Sequence, residues 1–79
     1  MSKEFKITLN SVDLGQLLDG LAMRAEAWEK TADYHESGFV PVGFIVEECA
    51  DAEEAHNIAN HYHALCQTIR EQVTAQGGW

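Results

Sequence analysis

The 79 residues carry 13 acidic side chains against five basic ones, a formal charge of −8. A chain this short holds one domain, 1–79, near the size at which a single core is marginal on its own. The charge argues against direct binding to nucleic acid or to an anionic membrane surface. No apolar run approaches the ~20 residues that span a bilayer, and the opening MSKEFKITLN lacks the apolar stretch of a secretory signal.

Lys3 to Leu9 alternates, with Phe5, Ile7 and Leu9 on one side and Lys6 and Thr8 on the other. That pattern predicts a short N-terminal strand with one buried face, which needs an edge to pair with. Asn10 and Ser11 then supply the polar residues that precede a helix, and Asp13 suits the dipole of its first turn. From there Leu14, Leu18, Leu21, Ala25, Trp28, Ala32 and His35 recur in steps of four and three. This is the seam of a helix over about 11–37 that packs lengthwise on another helix, and Gly38 ends it.

Phe39 to Val46 is unusually apolar for a connection, and Pro41 and Gly43 forbid a regular helix through its first half. An apolar connector of this kind needs a cover. The second helix, about 51–76, has the clearest signature. Asp51 is placed as its N-cap, with Glu54 three residues on completing a D-x-x-E capping box. Ala55, Ala59, Tyr62, Cys66, Ile69 and Val73 form its seam, and Gly77-Gly78 stops it.

The two seams fit one another. Pairing His35 with Ala55, Ala32 with Ala59, Trp28 with Tyr62, Ala25 with Cys66, Leu21 with Ile69 and Leu18 with Val73 gives residue numbers that sum to 90 or 91 throughout. The expected fold is therefore mainly α, an antiparallel two-helix hairpin with a short N-terminal strand; the alternative is a β-α-β-α unit. A 26-residue helix is ~39 Å long, awkward as a crossover between strands of ~20 Å. One flank carries Leu17, Thr31, Ile58 and Leu65, apolar enough for a second contact surface. The other carries Glu29, Glu36, His56, His63 and Arg70. A second apolar side and an uncovered connector imply a homodimer in a four-helix arrangement. In an antiparallel dimer, Lys3–Leu9 of one copy lies near Phe39–Val46 of the other.

Cys49 and Cys66 stand ~25 Å apart if both lie along one helix, too far to bridge. Free thiols fit a reducing compartment, and the expected location is cytoplasmic. Cys49 sits near a helix N-terminus, which lowers a thiol pKa, but Glu47, Glu48 and Asp51 around it push the other way. The sequence holds no phosphate-binding glycine loop and no nucleophile elbow. Glu26-x-x-Glu29 followed by Glu48-x-x-Asp51 resembles, in spacing alone, the magnesium-holding E-x-x-E…E-x-x-D pattern of MazG-type nucleotide pyrophosphohydrolases. Here the second motif straddles a helix start, and basic residues for a phosphate are scarce.

The expectation is a binding protein and not an enzyme, with no cofactor. Five acids in eight residues, Glu47 to Glu54, adjoin the apolar Phe44–Val46. Apolar residues ringed by charge are the composition of a docking surface, so Phe44, Val46, Glu47, Glu48, Asp51 and Glu54 are the candidate contacts for a basic protein partner. The alternative is a divalent metal in a miniature four-helix bundle. Its candidate ligands are Glu29, Glu53, His56 and His63, because Glu53-x-x-His56 has the i, i+3 spacing of ferritin-like sites.

Overall fold

The structure, a computed structural model, describes residues 3–39 and 41–78. Val40, one residue of the apolar connector, falls outside them. Two helices, α1 (Ser11–Ser37) and α2 (Ala52–Ala75), pack side by side along their length. Their bounds agree with the sequence because local chemistry fixes each end. Asn10 is extended and its side-chain oxygen accepts the Asp13 N–H at 2.8 Å. At the far end Gly38 turns left-handed (φ 75°), and its N–H reaches the Tyr34 carbonyl.

Asp51 caps α2, its Oδ1 accepting the Glu54 N–H at 2.8 Å. The Glu54 carboxylate reaches back to the N–H of Ala50, one residue short of the Asp51 N–H that a standard capping box would engage. The Gln76 and Gly78 N–H groups close on the Val73 carbonyl and end the helix.

The helices run antiparallel in the expected register. Glu29 meets His63 and Glu36 meets His56 across the polar edge. The core is Trp28, Ala32, Ala55 and Ala59, with Tyr62, Ile58 and Cys49 packed against it and Leu18 and Ala25 buried further along α1. Trp28 and Tyr62 thus share one core. The alanines let the helices approach closely near the connector, at the expense of apolar area.

Three expectations change. The strand over Lys3–Leu9 forms no ladder among the described residues, and Phe5 and Ile7 each stand 77% exposed. One hairpin offers that segment no edge to pair with, and without strands the β-α-β-α alternative has no counterpart here either. Thr31, assigned to an open flank, is fully buried, because the chain's own connector folds over it. His35, assigned to the top layer, is exposed; Cys49 packs there, with Sγ 3.3 Å from His35 Nε2.

The result is a slab of 43 × 32 × 16 Å, one helix thick. Its accessible surface of 6245 Å² exceeds by roughly 1,400 Å² the ~4,800 Å² of a compact chain of this mass. Among the described residues no helix is long and apolar enough to cross a membrane.

Candidate functional site

The connector and the first turns of α2 hold the candidate surface, and one buried hydroxyl sets their position. Thr31 Oγ1 donates to the Ala27 carbonyl, an ordinary back-bond on a helix, and accepts the Glu47 N–H at 2.9 Å. Beside it Arg24 bonds the Glu47 carboxylate at 2.7 Å. The same guanidinium lies 5.8 Å from the Trp28 ring centre and 6.0 Å from that of Tyr62. Its pKa is raised, first by the hydrogen bond to Glu47. Lys30 extends over the Phe44 ring at 5.9 Å. Three side chains of α1, Arg24, Lys30 and Thr31, hold the connector at Glu47 and Phe44.

This arrangement divides the acidic block. Glu47 is half-buried and paired with Arg24, while Asp51 and Glu54 cap α2. Glu48 and Glu53 are exposed, with no side-chain hydrogen bond or ion pair among the described residues. Phe44 and Val46 are half-buried, whereas their neighbours Val42 and Ile45 point to solvent, Ile45 at 77% exposure. The apolar centre of the surface is therefore displaced from the expected Phe44 and Val46 toward Val42 and Ile45. Beyond it an open groove of about 490 Å³ runs along α2, lined by Asp51, Glu53, Glu54, Asn57, Ile58, His61 and Tyr62.

The metal candidates do not converge within one chain. His63 Nε2 lies 2.5 Å from Glu29 Oε1 and His56 Nε2 lies 2.7 Å from Glu36 Oε1. These are two separate exposed pairs, two helical turns apart on α2, and Glu53 is in neither. Among the described residues no three His, Cys, Asp or Glu side chains are placed to hold one ion. Nor do Glu26, Glu29, Glu48 and Asp51 act as a set, since Glu29 is held by His63 and Asp51 by its capping bond.

Sequence reading missed Arg24 and Thr31. The signal was present: Arg24 stands one turn before Trp28, and Thr31 is the one hydroxyl on an otherwise apolar flank. Comparison of the chain with family models, with curated proteins and with solved structures returned no match.

Proposed function

We propose that this protein is a small acidic docking module that acts as a homodimer and binds a basic protein partner, in the cytoplasm, where its two free thiols stay reduced. The partner's contacts are Phe44, Val46, Glu47, Glu48, Asp51 and Glu54, with Val42, Ile45 and Glu53 added from their exposure. One observation carries the reading: a connector fixed to α1 by Thr31 and Arg24 still presents Val42 and Ile45 to water, and the carboxylates of Glu48 and Glu53, a few residues further along the chain, stand exposed and unengaged among the described residues. A preformed apolar patch with an acidic rim suits a ligand that offers apolar residues flanked by Lys or Arg, and it binds without first ordering a loop.

Two measurements test it. Sedimentation equilibrium at micromolar concentration reports a dimer; a folded monomer throughout removes the homodimer. Anisotropy titration with a labelled peptide of alternating apolar and Lys residues reports the docking. Binding that weakens on Glu48→Lys with Glu53→Lys supports it, and binding unchanged by both counts against it. Glu47 is left alone because its replacement also releases Arg24.

A second reading, metal binding in a dimeric bundle, has in its favour the two Glu–His pairs aligned along one edge. Its ligands are Glu29, Glu53, His56 and His63. Stoichiometric iron, zinc or manganese in untagged protein, lost on His56→Ala, would establish it.

A further inference from the structure

We infer that the occupant of the connector surface is the Lys3–Leu9 segment of a second copy of this chain, laid as a β-strand along residues 44–48. The inference rests on the docking reading above and supplies the surface's Lys-bearing apolar ligand from within the dimer, in place of a separate basic protein. Three features of the chain meet in it.

The first is charge and pattern. Lys3 and Lys6 are two of the five basic residues and stand against the single acid Glu4; Lys6 alternates with Phe5, Ile7 and Leu9, while Lys3 continues their face. Arg24 and Lys30 are already engaged at the connector, on Glu47 and over Phe44. The N-terminal segment therefore carries what the surface lacks: apolar side chains for Val42 and Ile45, and positive charge for Glu48.

The second is backbone. Glu47 turns its N–H inward onto Thr31. In a strand the N–H and C=O groups of successive residues point to opposite edges, so a strand laid here would pair through Val46 and Glu48, on the edge away from Thr31. Neither they nor Lys3–Leu9 has a backbone partner among the described residues. Strand pairing engages both sets at once, and the helices beneath give the ribbon the packing that an isolated pair of strands lacks.

The third is reach. The connector lies beside Arg24, Lys30 and Thr31, on average some 18 residues or ~27 Å up α1 from Asn10. The seven residues of Lys3–Leu9 extend ~23 Å, so in its own chain the segment stops short of the connector's mean position and has no length left to pair. In an antiparallel dimer the start of α1 in one copy stands beside the connector end of the other. Two-fold symmetry then makes the same ribbon twice. Such an interface draws on the roughly 1,400 Å² of surplus surface, above the ~800 Å² per partner of a standard interface.

The test uses the full chain, mixed from isotope-labelled and unlabelled protein, with filtered NOEs read between copies. Contacts from Phe5 and Ile7 of one copy to Ile45 and Val46 of the other are expected; a dimer whose cross-copy contacts exclude residues 3–9 overturns the inference. Deletion of residues 3–9, with helicity followed by circular dichroism, is expected to weaken dimerisation about 100-fold, the scale of two large apolar side chains returned to water. If the deleted chain stays helical and dimerises as before, the strand assignment fails while the homodimer stands. If the full chain is monomeric at every concentration, the homodimer itself fails. Ile45→Asp probes the receiving side: weaker association supports the ribbon, and unchanged association contradicts it.

Discussion

The half of the hairpin nearest the connector and the half nearest the chain ends share one heptad pattern, yet they bury it differently. Toward the connector, Trp28, Thr31, Ala32, Ala55 and Ala59 are all buried. Toward the ends Leu18 and Ala25 are buried, but Leu14, Leu21, Cys66, Ile69 and Val73 are only half-buried, and Leu17 and Leu65 are exposed outright. Two helices side by side cover one stripe of each other and no more. The closed half has a third element, the connector segment Phe44–Cys49, lying against α1; the open half has none. A seam of apolar residues therefore marks where helices meet, while burial depends on what lies across the seam. The largest predicted effects sharpen that contrast. Trp28→Ala empties the closed half and is expected to cost about 3–5 kcal/mol, enough to unfold so small a domain. Ile69→Ala in the open half is expected to cost about 1–2 kcal/mol, because the side chain is only half removed from water. Urea denaturation measures both. The unequal losses are those of the dilute monomer; losses that converge as the protein concentration is raised mark the open half as covered by a second copy.

Thr31 is the next point of leverage. Among the described residues its hydroxyl is the one polar link between the buried core and the connector backbone. Thr31→Val keeps the shape but leaves the Glu47 N–H without an acceptor in a site closed to water, an expected loss of about 1–3 kcal/mol. Thr31→Ser keeps the hydroxyl and loses one buried methyl, about 1 kcal/mol. A larger loss in Val than in Ser, read from the same denaturation midpoints, is the signature of the hydrogen bond. The reverse order would show that Thr31 acts by packing alone.

The residues that were legible from sequence are those whose partners are fixed by periodicity or by the next turn of chain. Asn10, Gly38 and Asp51 act within a few residues of themselves, so the helix ends are local facts. The antiparallel register followed from two matched seams, and with it the pairs Glu29–His63 and Glu36–His56, whose residue numbers both sum to 92. What was not legible depends on the connector, where no repeat sets a register. Nothing in a string of six apolar residues interrupted by Pro41 and Gly43 says which flank it folds against, so the periodicity leaves Thr31 on an open flank and gives Arg24 no partner. The acidic block was misjudged for a related reason. Composition counts five carboxylates, but the cap already engages Asp51 and Glu54, and the fold adds a duty for Glu47, held by Arg24. Lys3–Leu9 has the alternation of a strand and no strand to join, because its pairing requires an edge that one copy does not offer it.

The two Glu–His pairs lie on the edge shared by both halves, Glu36–His56 in the closed half and Glu29–His63 nearer the open one. All four side chains are about half exposed, so solvent screens both pairs. Glu29→Gln and Glu36→Gln are each expected to change stability by about 0.2–1 kcal/mol, less in high salt. Thermal melts at two ionic strengths check this. A loss above that range for either pair would mean that its edge is buried against something in solution, a second copy or a bound ion.

The smallest effect concerns Cys49, which fills the top of the closed half. Loss of hydration pushes its thiol pKa up, the Glu54 charge adds to that and Asp51 adds further, while a hydrogen bond to the Asp51 carbonyl draws it back down. The start of α2 alone would favour the thiolate, so these opposing effects outweigh it. The folded chain thus holds this proton more tightly than the unfolded chain does. The stability it contributes is present below the ordinary thiol range and is lost as the pH rises through the raised value. The urea midpoint of the wild type should therefore fall more steeply between neutral and strongly alkaline pH than that of Cys49→Ala. Iodoacetamide should modify Cys49 with a midpoint above that of an unstructured cysteine, and Glu54→Gln, which removes the charge but can keep the bond from Ala50, should bring that midpoint down. A Cys49 that reacts faster than a free thiol near neutral pH would reverse the sign. It would mean that the helix terminus and His35, not the buried contacts at the top of the core, govern the sulfur.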